Sequence, residues 1–284
     1  MDMLKIHVLG TAQDAGIPQL GCECENCAQA LESSNKSRMV ACIAIIGAEQ
    51  ILLIDSTPDY QKQVKLLSKS YPKTQPYTYN MGADQILITH LHIGHYTGLI
   101  NLGKEVASTH NYPVLMTEKC KGFILANKPF SYLIERGEIQ VSTLVANTKY
   151  PIDPLFDIEP IEVPHRNEDG DTIGVKIYSH QSQKTVIYIP DVDYLTDEIL
   201  EVLKNTDLAI LDGTFYSKTE HPRQASIPHP PILDTITKLG KRSPGSFYFT
   251  HFNHTNPILR NQAEYDYVKQ HGYEILNDDQ ILKI

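Results

Sequence analysis

The 284-residue sequence predicts an α/β protein in which sheet layers are covered by helices. Three observations carry that expectation. Short apolar runs alternate with segments of helical length, several of those runs end abruptly in His or Asp, and no fixed-period repeat or low-complexity stretch interrupts the pattern. Strand tips converging on one sheet edge are how α/β enzymes assemble a site. With 41% hydrophobic residues the chain can build a packed core, and its composition forces no split, so one domain over 1–284 is expected.

Residues 5–11 alternate around Ile6, Val8 and Leu9 and break at Gly10, an opening strand. Gly16, Pro18 and Gly21 then impose a loop, about residues 16–30, that carries Cys22, Cys24 and Cys27. Residues 39–46 and 50–54 are expected as two strands around a turn at Gly47-Ala48-Glu49. Asp55, at the tip of the second, is placed to orient the site by a hydrogen bond, and Asp59 to turn into or cap a helix over 60–69. A polar connection, 71–80, leads to the central apolar run Ile86-Leu87-Ile88. Beyond it come a helix over 97–106, a strand over 113–116 and a helical region over 118–136 interrupted near Pro129.

Residues 157–163 form the next expected strand and deliver His165. A hairpin of 172–178 and 185–189 delivers Asp191 and Asp193, the first a candidate carboxylate ligand, the second suited to cap a helix over 196–204. The apolar run 207–211 ends at Asp212. The proline-containing stretch 218–231, with His221 and His229, is a loop able to cover a pocket. A helix over 232–239, a strand over 246–250 opening onto His251, a final helix over 258–271 and a hairpin around Asn277-Asp278-Asp279 complete the chain.

The formal charge of −9 argues against broad attachment to nucleic acid, which needs a basic face, although a focused nuclease pocket that uses metal ions is compatible with it. No basic segment followed by a long apolar one opens the chain, and no stretch approaches ~18 uninterrupted apolar residues, so a soluble, cytoplasmic protein without membrane association is expected. An odd total of five cysteines, three of them clustered, fits metal binding in a reducing compartment better than a disulfide framework.

The chain is organised around Thr89-His90-Leu91-His92-Ile93-Gly94-His95. The period of a strand turns His90 and His92 to one face, and His95 follows where the chain enters a helix. Neutral imidazole is the commonest transition-metal ligand, and three at this spacing can surround a cation at ~2.1 Å from each nitrogen. One histidine there would read as structural; three within six residues read as ligands. Cys22, Cys24 and Cys27 form a second cluster. Thiolates so spaced can wrap Zn²⁺ at ~2.3 Å per sulfur, but a closed structural site has four ligands, so one more donor, preferably a histidine, is expected from elsewhere in the chain.

His90, His92 and His95, then His165, Asp191 and His251 at strand ends, resemble the metallo-β-lactamase fold superfamily, whose signature is His-x-His-x-Asp-His followed by His, Asp and His. The likeness runs in order over nearly the whole chain. Gly10-Thr11-Ala12 through the cysteine cluster, and the ending Thr250-His251-Phe252-Asn253-His254-Thr255-Asn256-Pro257, are similar to the branch that contains the cyclic phosphodiesterase of phosphonate degradation and pyrroloquinoline quinone biosynthesis protein B. The resemblance implies a four-layer αββα sandwich of two mixed sheets flanked by helices. It also implies a first active-site metal on His90, His92, His165 and Asp191, a second on His95, His251 and a bridging Asp191, and a structural zinc on Cys22, Cys24, Cys27 and His254. Gly94 departs from the pattern, standing where the superfamily has Asp. A single tightly held ion is therefore expected, or a second bound weakly unless Asp212, His229 or water fills the gap.

The expected cofactors are a structural Zn²⁺ and one or two Zn²⁺, Mn²⁺ or Fe²⁺ ions in the active site. The implied activity is metal-dependent hydrolysis of a phosphodiester or related ester, with Asp191 as ligand and orienter and with His229, or Asp212 through a water, protonating the leaving group. A small-molecule or peptide substrate is expected, and the oligomeric state stays open, a homodimer being one option. Two alternatives stand beside hydrolysis: an iron-dependent oxygenase of the pyrroloquinoline quinone type acting on a tyrosine-containing precursor, and a non-catalytic metal-binding homologue.

Overall fold

In the computed structural model, residues 3–72, 81–165, 168–220 and 227–284 are described. Most of the 71–80 connection and residues 221–226 of the expected covering loop, His221 included, lie outside them. Among the described residues the strands form two seven-stranded sheets. The first contains β1 (Lys5–Gly10), β2 (Cys42–Ile46), β3 (Ile51–Ile54), β4 (Gln85–Leu87), β5 (Tyr112–Thr117) and β6 (Ile139–Leu144). The second contains β7 (Tyr150–Asp153), β8 (Phe156–Glu162), β9 (Ile173–Ser179), β10 (Thr185–Ile189), β11 (Leu208–Asp212), β12 (Phe247–Thr250) and β13 (Tyr273–Ile275), after which β14 (Ile281–Lys283) returns to pair with β1 in the first sheet.

The layering follows from strands that are apolar on both faces. On β2, Ile43 and Ile45 enter the core between the sheets, while Cys42, Ala44 and Ile46 face the helices on the outside. On β10, Val186 and Tyr188 take the inner face and Ile187 and Ile189 the outer one. A period of two with both faces buried requires cover on both sides. It comes from α2 (Tyr60–Ser70), α4 (Glu118–Ala126) and α5 (Phe130–Glu135) against the first sheet, and from α6 (Asp197–Lys204), α7 (Ile232–Leu239) and α8 (Gln262–Gln270) against the second. The expected αββα sandwich is thus observed. Short α1 (Glu25–Glu32) and α3 (Ile93–Tyr96) sit beside the two histidine and cysteine clusters.

Strand direction positions the site. β3 to β6 run parallel, as do β10 to β13, so the carboxyl ends of β3, β4, β10, β11 and β12 open on one edge of the sandwich. Ligands bind at such ends because the loops leaving them are free of the ladder. The Ile173 N–H donates to Thr89 O at 3.0 Å and ties the two sheets together at that edge. Among the described residues no helix is long and apolar enough to cross a membrane.

Several local expectations are corrected. The helix expected over 97–106 begins at Ile93 as one α-helical turn and continues as a 3₁₀ helix, Thr97–Leu102, so His95 lies within it. The last helix is split into a 3₁₀ turn, Pro257–Leu259, and α8. Residues 277–279 do not make a hairpin: they cross from one sheet to the other, where Asp278 accepts bonds from the Thr11 hydroxyl and the Met39 N–H. Asp59 precedes α2 but caps nothing with its side chain, which accepts from Val40 N–H and from Lys62. Strands β6 and β7 had no sequence expectation. The cysteine loop closes into α1, with Cys24 as its N-cap residue.

Candidate metal centre

Asp191 leaves β10 at the open edge, and its carboxylate is 2% exposed. Its Oδ2 lies 3.1 Å from His165 Nε2, 3.3 Å from His90 Nε2, 3.6 Å from His251 Nε2, 3.7 Å from His92 Nδ1 and 4.0 Å from His95 Nε2. Five imidazole nitrogens therefore face one carboxylate oxygen. The donors of His90, His92, His165 and Asp191 lie within 4.8 Å of one another, and so do those of Asp191, Asp212, His229 and His251.

The rings are aimed by what holds their other nitrogen. His95 Nδ1 donates to Asp55 Oδ2 at 2.7 Å, and His165 Nδ1 to Asp193 Oδ1 at 2.7 Å. The Thr214 hydroxyl donates to His251 O and so accepts from His251 Nδ1 at 2.9 Å. In the same way the Thr89 hydroxyl donates to Asp55 and accepts from His90 Nδ1 at 3.0 Å. These bonds fix the tautomers and leave each Nε2 lone pair turned inward, as in ligand sets for divalent metals. His92 alone presents Nδ1, and with 24% of its side chain exposed it stands at the entrance. A small cleft beside it is lined by His90, His92, Glu168, Asp169, Gly170 and Thr172.

Two atoms test whether a cation fits. His90 Nε2 and Asp191 Oδ1 are buried without a hydrogen-bond partner, which is costly unless something else satisfies them. His165 Nε2 and His92 Nδ1 stand 3.0 Å apart, and His95 Nε2 and His251 Nε2 3.4 Å apart. Donors held ~2.1 Å from one ion are about 3.0–4.2 Å apart in tetrahedral or octahedral geometry, so these residues fit a divalent metal.

With the protein's own groups alone, burial and the neighbouring His95 hold His90 well below the usual imidazole range. Burial likewise lowers His251. For Asp191 burial works against ionisation, but His251 and His229 outweigh it and hold the carboxyl well below its ordinary value. For His95 and His229 burial opposes protonation and loses to Asp55 and Asp212 respectively, which raise each imidazole to about 9.

A family model described as the beta-lactamase superfamily domain matches residues 50–252, well over half of the chain. The chain belongs to the beta-lactamase superfamily. Within that superfamily it is 25% identical over 304 residues to coenzyme PQQ synthesis protein B of Acinetobacter baumannii (strain ACICU), covering 97% of this chain and 98% of that protein. The same protein of Rhizobium meliloti (strain 1021) is 25% identical over 301 residues, with 96% and 95% covered. Among solved structures, zinc-bound PqqB from Methylobacterium extorquens superposes with TM-score 0.83 at 20% identity, covering 99% of this chain and 100% of that one. A diphosphatase from the PhnP family gives TM-score 0.71 at 21% identity, with 100% and 98% covered. The branch that the motifs resembled is the branch found.

For a superfamily member, the placement of the sequence-expected residues is informative. His90, His92, His95, His165, Asp191 and His251 all meet at the open edge. Asp212 and His229 join them, with His229 Nδ1 2.7 Å from Asp212 Oδ2 and 3.3 Å from Asp191 Oδ1. Asp212 also accepts from the Val192 and Thr214 N–H groups, so it acts as an acceptor that holds His229. Asp55 orients the site as expected. Asp193 does not cap α6; Thr196 does, and Asp193 instead fixes His165.

Cys22, Cys24, Cys27 and His254 converge as a second cluster within 4.8 Å, His254 Nδ1 lying 3.2 Å from Cys22 Sγ and 3.3 Å from Cys24 Sγ. Burial raises the Cys27 thiol to about 12, a penalty on the thiolate that a bound cation would have to offset. Asn26 donates to the carbonyls of His254 and Asn256 at 2.8 and 2.9 Å, fastening the loop to the C-terminal segment. The sequence reading had no role for Asn26, Thr89 or Thr214. All three work through bonds to residues distant in the chain or to backbone, which spacing does not encode.

Proposed function

We propose that the protein is a metal-dependent hydrolase of a phosphodiester or related ester, built as one domain and acting on a small molecule or peptide in the cytoplasm. The observation that carries the reading is the convergence of five imidazole nitrogens within 4.0 Å of Asp191 Oδ2, with His90 Nε2 and Asp191 Oδ1 buried and making no hydrogen bond. His90, His92, His165 and Asp191 would hold the first ion, and His95, His251 and Asp191 would face the second position. A bound divalent ion supplies acidified water and an electrophile for a phosphoryl or carbonyl oxygen. Around it, Asp191 orients the reacting groups, and His92 borders the entrance. His229, hydrogen-bonded to Asp212, is placed to give a proton to the leaving oxygen. The likeness to a protein named as a PhnP-family diphosphatase supports a phosphorus-centred substrate.

The near full-length likeness to coenzyme PQQ synthesis protein B favours a second reading, an iron-dependent oxygenase on a tyrosine-containing precursor. The His229–Asp212 pair favours hydrolysis, since a proton donor poised for a leaving group has no necessary part in oxygenation. Protein stripped of metal and reloaded with Zn²⁺, Mn²⁺ or Fe²⁺ decides between them. Hydrolysis of bis(p-nitrophenyl) phosphate or p-nitrophenyl acetate restored by metal is the expected result. Oxygen uptake with a tyrosine-containing peptide and Fe²⁺, without hydrolysis, would overturn it.

A further inference from the structure

Gly94 leaves the second metal position short of a carboxylate, and the structure fills the same space from another part of the chain. A Cβ built on Gly94 would lie 2.2 Å from Asp14 Oδ1 and 2.6 Å from Asp14 Cα. The Gly94 N–H donates to that Oδ1 at 3.2 Å. A side chain at position 94 and the carboxylate of Asp14 therefore exclude each other.

We propose that Asp14 is the missing carboxylate ligand, so that the second ion is held by Asp14, His95, His251 and Asp191. Asp14 Oδ1 is 3.9 Å from His95 Nε2, which is 3.4 Å from His251 Nε2 and 4.0 Å from Asp191 Oδ2; His251 Nε2 and Asp191 Oδ2 are 3.6 Å apart. Each of these separations falls in the ~3.0–4.2 Å range set by two donors ~2.1 Å from one ion. The alternative carboxylate, Asp212, already accepts from His229 Nδ1 and from the Val192 and Thr214 N–H groups.

The backbone accounts for how Asp14 arrives there. Phe252, which follows His251, donates to Thr11 O at 2.8 Å and accepts from Gln13 N–H at 3.0 Å, so the segment ending at Asp14 is paired with the segment carrying His251. His251 itself has φ of 61°, a left-handed backbone that a non-glycine residue holds only when its surroundings fix it. The Asp14 side chain is 30% exposed, leaving this side of the position open to water and substrate.

The proposal rests on the metal-centre reading and is independent of whether the reaction is hydrolysis. It is tested by titrating metal-stripped, refolding-competent whole protein with Mn²⁺, read by calorimetry and by the exchange-coupled paramagnetic resonance of paired ions. Wild type is expected to bind two Mn²⁺ at this centre. Asp14→Asn, which keeps an acceptor for Gly94, and Asp14→Ala should keep the first and weaken the second by ~100-fold, abolishing the coupled signal. Gly94→Asp, whose Cβ would meet both the carboxylate and the Cα of Asp14, should not improve on wild type. Retention of the second ion at wild-type affinity in both Asp14 variants would overturn the proposal. A wild type that binds one ion, lost in His92→Ala, would also overturn it while sparing the metal centre, and a wild type that binds none would overturn both.

Discussion

In the cysteine cluster three of four donors lie within six consecutive residues, and one His closes the set; in the histidine centre His90, His92 and His95 also lie within six residues, after β4, but His165, Asp191 and His251 each come from the exit of a further strand. The two clusters are also steadied differently. Cys22 and Cys27 sulfurs accept N–H bonds from Cys24 and Gln19, and Asn26 fastens the loop. The imidazoles are instead fixed through their second nitrogen by Asp55, Asp193, Thr89 and Thr214, all at the buried edge of the sheets. A local cluster of thiolates uses the metal to shape the chain. A centre assembled from strand ends uses the fold to shape the ligand field, and so can leave a coordination position for substrate.

The comparison predicts separable losses. His165→Ala should lower activity by on the order of 10³-fold and remove active-site metal while leaving zinc on the cysteine cluster, as activity assays and metal analysis together would show. Survival of activity would erase the distinction. His229→Gln should cost roughly 10²–10⁴-fold in kcat with metal content unchanged, because it removes a proton donor and none of the residues proposed to hold the ions. A parallel loss of metal would instead make His229 part of the coordination set. Asp55→Asn should weaken active-site metal binding by about 10–100-fold in a chelator competition, since the bond that aims His95 weakens.

The smallest effect concerns pH. Glu220 is partly buried, accepting from Tyr216 N–H and the Thr255 hydroxyl, and desolvation raises its pKa from 4.5 to about 7. The folded protein thus holds this proton more tightly than the unfolded chain. Its stability contribution is complete at low pH and lost as pH rises through about 7. Denaturant unfolding at pH 5 and pH 8 should show wild type losing up to about 3 kcal/mol more than Glu220→Gln across that range. Equal slopes for the two proteins would show that Glu220 is ionised at no cost.

Much of this architecture was legible in the chain. Apolar runs that break at His90, Asp191, Asp212 and His251 marked the strand exits because a buried strand must end before polar groups can reach a site. Close spacing gave the cysteines away. Asp14 was not legible, because it lies eighty residues from Gly94 and meets it only through pairing with Phe252. Asp193 was misassigned for a related reason: its local sequence suits a helix cap, and only the fold brings His165 to it. The closing 277–279 turn looked like a hairpin since each flanking run is a short strand, but their partners, β12 and β1, are in different sheets.

The most direct measurement is the metal content, by mass spectrometry, of anaerobically purified wild type, Cys24→Ser and His92→Ala. The account predicts that Cys24→Ser loses one zinc and that His92→Ala loses a different ion while keeping that zinc. Because Asp14 and the cysteines share one N-terminal segment, Cys24→Ser should also hold the second active-site ion less tightly. A wild type whose only metal is the zinc removed by Cys24→Ser, and which takes up no further Mn²⁺, Fe²⁺ or Zn²⁺ on titration, would contradict the existence of a catalytic metal centre.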